Sequence, residues 1–579
     1  MKGLITKFLA AMFVISAAAV CFVGCNGSEL QTDERGIYSV EDGIKTYQLL
    51  VYDHGTTLPA GPPYRDDVLE EINRRLYDTY GYHVNFQTYS FPDDSFFEKI
   101  NVELAGGTSI DLVRQTHREV IVRNYRKEVA KDLSEYLENA PNLIATASEK
   151  IWDEFTFDGG IYAIPLPDMP TQTTIWARGD ILIDIGYVDE NYNPKPPETL
   201  AELEDALVKI RDCGLLKGAN TVPMATTLED LESLLLGHFT ETPGDWTDEG
   251  DVIHSKYDHE SYRQFLELVK RWYDEGLIDN QLFSGTSSAS SLLQRGAVGM
   301  YVGTVSDIQW GDLKGYHSAN PEHKYCAVLP LKDNKKIQSG GWAQEYLWVP
   351  YTSKSTQVII EFLDFTYASE ENFDLVFYGI EGLTYVKGGE NGMEYDVPEI
   401  EIEYGANQPL DLMGMFIPGG GSYSKYLERL NSRTTSELAK ETMTYYASIP
   451  EDEVYVPPTA YFANVLDTIM DDHQGNLETA IKRQIRTYLE TDYASEDASG
   501  EALDALAVSI KETIATPKNG ATIYGELNEI YQNGQLGPVD YSEDIRNFWI
   551  FIGCLGGTVA VAVVLLVFKK CKIMIWREN

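Results

Sequence analysis

Residues 158–178 read DGGIYAIPLPDMPTQTTIWAR, and the arrangement of the whole chain turns on them. Asp158-Gly159-Gly160 is a turn-forming cluster, because glycine reaches positive φ at no steric cost. Ile161, Tyr162 and Ile164 follow as a short strand, and Pro165, Pro167 and Pro170 forbid a helix behind it. Thr173 to Ala177 (TTIWA) is β-branched and aromatic, which reads as a second strand. A rigid, proline-punctuated crossing with long α/β segments on either side is what two lobes joined by a hinge require. An ordinary β-hairpin between helices would satisfy the same local pattern.

Upstream of the crossing, Thr46 to Tyr52 reads as the first strand, and Val68, Leu69, Ile72, Leu76 and Tyr80 recur at helical spacing. His83 to Tyr89 alternates as a strand, Asp93 to Leu104 is helical, and Ile110 to Val113 is a short strand. That order predicts an open α/β sheet. Downstream, Thr199 and Glu202 form a capping box before Leu200, Leu203, Leu207 and Ile210. Thr221 to Ala225 is a strand. Tyr262, Phe265, Leu266, Val269, Trp272 and Tyr273 make the core stripe of a helix. Ala297 to Val302, Tyr325 to Pro330 and Glu345 to Pro350 are further strands, 384–397 is a hairpin, and 422–535 is mostly helical.

Three runs near the crossing, WDEFTFDGGIYAIP, WARGDILIDIGY and PPETLAELEDAL, resemble the extracellular solute-binding proteins (family 1) of bacterial carbohydrate ABC transporters, in their large lipoprotein subfamily. GGWAQEYLWVPYTSK from Gly340 and YGIEGLTYVKGGENG from Tyr378 extend the resemblance to about residues 40–540. It implies an α/β, two-lobed periplasmic-binding-protein-like (type II) fold with a hinge. It also implies a carbohydrate ligand and docking on ABC transporter permease subunits. The expected division is a signal peptide at 1–24 and a linker at 25–41. The first lobe takes 42–157 with about 297–345, and the second 158–296 with about 346–540.

A length of 579 residues calls for more than one lobe. The formal charge of −44 excludes nucleic acid, whose binding needs clustered Lys and Arg, and disfavours polyanions unless a local basic pocket overrides the field. Both ends carry membrane signals. Lys2 and Lys7 precede an uncharged run ending at Phe22-Val23-Gly24-Cys25, similar to a lipoprotein cleavage box in which Cys25 is lipidated. Phe548 to Phe568 is free of charge and, at ~1.5 Å per residue, spans about 31 Å, which predicts a C-terminal transmembrane helix. Lys569, Lys570, Lys572 and Arg577 make 569–579 a cytoplasmic tail, so the ectodomain faces outward. Gly553 and Gly557 form a GxxxG pair, a homodimer face within that helix. Cys213 and Cys326 are the ectodomain's cysteines, and spacing alone does not say whether they bridge.

No HExxH, Walker or GxSxG motif occurs, so the sequence points to neither catalytic residues nor a cofactor. Pro418-Gly419-Gly420-Gly421 could cradle an anion but lacks a following Lys-Ser/Thr. Asp189, Asn191 and Asn193 open like a calcium loop, yet Pro194 and Leu200 stand where glycine and glutamate belong, so no metal is assigned.

Ligands of open α/β sheets bind beyond the strands' C-terminal ends. Tyr52, His54, Tyr89, Arg114, Gln115, Thr226 and Tyr301 are placed there, with Trp176 in the crossing and Trp310 and Trp342 near loops. A sugar offers an apolar C–H face and a rim of hydroxyls, so flat aromatics and hydrogen-bonding side chains suit it. Trp342, after Gly340 and Gly341, is the foremost candidate contact. The expected function is capture of a neutral oligosaccharide and its delivery to a permease. A ligand-binding sensor ectodomain acting with a membrane partner is the alternative, and an extracellular glycosidase is a third class that would need two facing carboxylates.

Overall fold

The structure is a computed structural model that describes residues 30–532, with gaps that include 55–63, 284–290, 340–344, 384–436 and 458–476. The leader with Cys25, Trp310, Trp342, the 384–397 hairpin, residues 418–421 and the 548–568 segment lie outside the described residues. Among the described residues no helix is long and apolar enough to cross a membrane.

Among the described residues, eleven strands build the two larger sheets, both within a compact unit ending at Leu536. They are β1 (Gln31–Asp33), β2 (Gly36–Glu41), β3 (Ile44–His54), β4 (His83–Phe91), β5 (Leu112–Gln115), β6 (Ile164–Leu166), β7 (Thr173–Ala177), β8 (Val222–Ala225), β9 (Val298–Thr304), β10 (Cys326–Val328) and β11 (Glu345–Trp348). The first sheet runs β1-β2-β3-β5-β11-β6, with β4 parallel to β3 along its other side. The second runs β8-β9-β7-β10.

Strand alternation sends successive side chains to opposite faces. Tyr47, Leu49 and Val51 of β3 therefore enter one core with Val68, Ile72, Leu76 and Phe362, while Leu50 and Tyr52 enter the other with Phe96, Ile100 and Tyr346. The second sheet does the same: Ile175, Met300 and Val302 face the core that holds Phe265 and Trp272, and Trp176 and Tyr301 face the other. The Tyr262–Trp272 stripe is core, as its spacing predicts. Thr199 caps its helix through Glu202 N–H, but the Glu202 carboxylate reaches Glu198 N–H at 2.8 Å, one residue before the N-cap.

Asp158 and Gly159 take φ of 49° and 82°, the turn expected of them. Pro165 then sits in β6, the edge strand of the first sheet, where a missing N–H is tolerated. β6 pairs with β11 and β7 with β9 and β10, so the two are not a hairpin and the chain passes between sheets at 167–172. The two sheets divide the chain differently from the expected lobes, and the 25–41 segment expected as a linker contains β1 and β2, of which β2 pairs with both β1 and β3. The crossing lies after Leu166 rather than at 158, 298–304 and 326–328 belong to the second sheet, and 345–348 belongs to the first. The helices Thr356–Tyr367 and Glu370–Phe377 pack with the first sheet, whereas Leu477–Glu490, Glu496–Ile514 and Ile523–Gln532 pack with the second. Short, fully buried strands carry no polar face that would announce which sheet they join. Tyr446, on the helix Glu437–Ala447, fastens the crossing itself by donating its hydroxyl to Thr173 O at 3.1 Å.

Cys213 and Cys326 are both free thiols.

Candidate ligand-binding site

The parallel strands β3, β4 and β5 end together. Tyr52 lies opposite Tyr89, Asp53 opposite Ser90 and Arg114, and His54 opposite Phe91. Antiparallel β11 starts at this edge and brings Glu345 to it.

Arg114 is the hub. Its Nη1 donates to Asp53 Oδ1 at 2.9 Å, while Nε and Nη2 grip Glu345 Oε2 and Oε1 at 3.1 and 2.6 Å. Burial works against the guanidinium charge, but Glu345 and then Asp53 outweigh it and hold the Arg114 pKa above its ordinary value. Ser90 Oγ donates to the second Asp53 oxygen at 2.9 Å. A bidentate fork of this kind is rigid, because a planar donor meets a planar acceptor. Both carboxylates are committed to Arg114, so the pair does not make the two facing acids that a glycosidase needs.

On the opposite face of the same sheet end stands an aromatic group. Tyr52 stacks on Phe91 with centroids 5.4 Å apart and planes 20° off parallel, and Tyr89 lies 5.6 Å from Tyr52. Tyr52 is buried, and burial, then Glu103 and Tyr89, push its phenol pKa up. Tyr89 is 40 % exposed and presents its surface outward, with Gln87 Nε2 donating to its hydroxyl. Flat apolar surface with a hydrogen-bonded phenol at its rim can hold a sugar ring.

The other named residues are placed differently. His54 is fully buried, with its Nδ1 3.3 Å from Gln115 Nε2 and its ring 4.7 Å from Phe96. Gln115 is buried too, and its Oε1 has no hydrogen-bond partner among the described residues. Trp176 is wholly enclosed, its indole N–H donating to Thr304 O at 2.9 Å, so it offers no surface to a ligand. Tyr301 is core on the same side of the second sheet. Thr226 is buried, its hydroxyl donating to Thr227 O at 3.1 Å just before a capped helix. Glu345 and Phe91 went unnoticed in the sequence. An acid at the start of a strand has no local signal, and Phe91 becomes visible only once β4 is extended past Tyr89.

Among the described residues no group of three metal-ligating side chains occurs. The Asp189 loop is closed by itself: Asp189 Oδ1 accepts from Asn191 N–H and Asn193 N–H at 2.9 and 2.7 Å.

The family described as "Bacterial extracellular solute-binding protein" matches residues 71–379. Two solved structures share the fold. One is an N-glycan transport solute-binding protein from Streptococcus pneumoniae, with TM-score 0.52 and 14% identity, covering 84% of this chain and 98% of its own. The other is an HMO-binding, ABC-transporter-associated solute-binding protein from Bifidobacterium longum infantis, with TM-score 0.52 and 17% identity, covering 84% and 99%. No curated protein sequence matches.

Proposed function

We propose that this chain, which belongs to the bacterial extracellular solute-binding protein family, captures a neutral oligosaccharide between its two lobes and delivers it, unaltered, to an ABC permease. The observation that carries the carbohydrate class is the exposed face of Tyr89, packed against Tyr52 and Phe91 at the sheet end that the Asp53–Arg114–Glu345 group braces from the opposite face. A net charge of −44 also favours a neutral solute over an anionic one at that edge. N-glycans and HMO, named for the two structural neighbours, belong to the ligand class proposed here.

In this proposal ligand touches both sheets only in a closed form, so it selects closure about the crossing at 167–172. Trp342, which directly precedes β11 by way of Ala343 and Gln344, stacks on the sugar, and Trp342→Ala weakens binding by about 1 kcal/mol. Lipid on Cys25 and the 548–568 helix hold the chain to the membrane with its lobes outside. A ligand that binds only the native state raises the melting temperature. Thermal unfolding against a panel of glycans is therefore expected to single out neutral oligosaccharides. A panel in which amino acids or peptides alone raise the melting temperature would overturn the carbohydrate assignment.

A further inference from the structure

A second cavity, of about 650 Å³, lies in the second lobe and is lined by Arg178, Lys217, Arg295, Tyr316, Glu322 and His323 among others. Topology places it away from the crossing. β7 runs antiparallel to β9 and β10, and β8 runs parallel to β9. Arg178 just after β7, Lys217 and Gly296 just before β8 and β9, and His323 just before β10 therefore gather at one end of the sheet. Thr173, Thr226 and Thr304 mark the opposite end, the one that meets the crossing.

The lining runs against the charge of the protein. Arg178, Lys217 and Arg295 face Glu322, and Asp180 pairs with Arg178, leaving cations in excess within a chain of net charge −44. Arg178 is 5 % exposed. Asp180 takes its Nε and Nη2 at 3.1 and 2.6 Å, and Nη1 has no partner among the described residues. Arg295 spends Nε on Ser291 O at 3.2 Å, and neither it nor Lys217 has a carboxylate partner among the described residues. His323 is 9 % exposed, lines the cavity, and has a buried Nδ1 without a hydrogen-bond partner among the described residues. Burial, then the Arg178 charge, hold the imidazole below its usual pKa, with Lys217 acting in the same sense. Buried donors and cations left without counter-charges are costly unless something supplies acceptors.

We propose that this cavity is an anion site, separate from the edge of the first sheet, that takes a phosphate-type oxyanion, either free or as the terminal group of a larger molecule. A tetrahedral oxyanion offers acceptors in several directions, which suits donors arriving from four separate segments. A planar carboxylate offers only two oxygens to them.

Gly315 supplies the test. It lines the cavity on the helix Asp312–Ala319, and a Cβ built there meets no atom within 4 Å. Alanine and glutamate are both better helix formers than glycine, so Gly315→Ala and Gly315→Glu keep the fold. Thermal unfolding of the full chain in detergent is followed with inorganic phosphate, with glycerol phosphate, and with sodium chloride at matched ionic strength. Phosphate is expected to raise Tm by on the order of 2 °C above the chloride control in the wild type and in Gly315→Ala. The rise should vanish in Gly315→Glu and in Lys217→Ala/Arg295→Ala. Equal rises with the two phosphates identify the free ion as the occupant, and a larger rise with glycerol phosphate identifies an esterified group. No rise beyond chloride in the wild type, or a rise that survives Gly315→Glu, overturns the proposal.

Discussion

Arg114 and Glu345 meet fork to fork, Nη2 to Oε1 at 2.6 Å and Nε to Oε2 at 3.1 Å, across a separation of 231 residues. The contact joins the strand that ends the first α/β run to the strand on which the chain returns from the second lobe. It therefore ties the start of β11 to the edge that carries Tyr89.

Removing one partner of such a pair leaves the other charge half-buried and unmatched. Glu345→Ala is expected to cost about 1–3 kcal/mol of stability in urea unfolding and to weaken glycan binding in calorimetry. Arg114→Lys should fail to rescue, since an ammonium cannot hold Asp53 and both Glu345 oxygens in the same geometry. A Glu345→Ala protein with unchanged glycan affinity would detach this pair from the site.

Tyr52 and Tyr89 touch each other but differ in exposure, so their substitutions should separate. Tyr52→Ala opens a buried cavity and is expected to cost about 3–5 kcal/mol of stability. Tyr89→Ala, at a ring 40 % exposed, should leave the melting temperature nearly unchanged while lowering glycan affinity by about 1 kcal/mol. Equal affinity in wild type and Tyr89→Ala would remove this ring from the ligand surface.

Lys256 Nζ donates to Glu232 Oε2 at 2.6 Å and to the more exposed Asp245 Oδ1 at 2.5 Å, and Tyr262 donates its hydroxyl to Glu232 Oε1 at 2.6 Å. Lys256 and Glu232 are both buried. Lys256→Met strands a carboxylate inside the protein and should destabilise it by about 3–5 kcal/mol, whereas Lys256→Met with Glu232→Leu should recover most of that loss. Chemical denaturation of the single and double variants decides it. A single variant as stable as wild type would show that the pair is solvated.

Asp111 is fully enclosed, and burial pushes its carboxyl up to about 6, against the opposing effect of Leu50 N–H, the Ser353 hydroxyl and Ser355 N–H. Because the folded value is raised above the unfolded one, the stability it contributes is complete below about pH 4 and is lost as pH rises through about 6. Measured against Asp111→Asn, the wild type should lose on the order of 3 kcal/mol between pH 4 and pH 7. A difference that does not vary with pH would mean that this carboxyl ionises alike in both states.

The two anchors proposed above, lipid at Cys25 and the 548–568 segment, are expected to be redundant for membrane attachment. Cys25→Ser and deletion of 548–579 are each expected to leave the chain in the membrane fraction, and only their combination should release it. Release by the deletion alone would show that lipid at Cys25 does not suffice.

Much of the fold was legible locally. The spacing of Val68, Ile72 and Leu76 announces a helix, and alternation along 83–89 announces a strand, because side-chain periodicity is a property of a few neighbouring residues. Pro165 excludes a helix locally, but its place in an edge strand was decided by the pairing. The sheet to which 298–304 or 345–348 belongs was not legible, since a short apolar strand pairs equally well with either. The site divided in the same way. Tyr52, Tyr89 and Arg114 stand at strand ends, as expected, because strand ends can be read from sequence. Trp176 was placed in the crossing but not in its interior, where an indole N–H bonded to Thr304 O faces away from any ligand.

By itself, then, the sequence determined the type of many elements from β3 onward, the family resemblance, the acidic field and a crossing within 158–178, but not the strands β1 and β2. Each of these depends on local pattern or on totals. Tertiary structure alone decided which strands share a sheet, which aromatic rings are enclosed, and that Glu345 closes on Arg114. It also gathered Arg178, Lys217, Arg295 and His323 around one cavity. Those outcomes rest on contacts between residues far apart in the chain, and no local period encodes them.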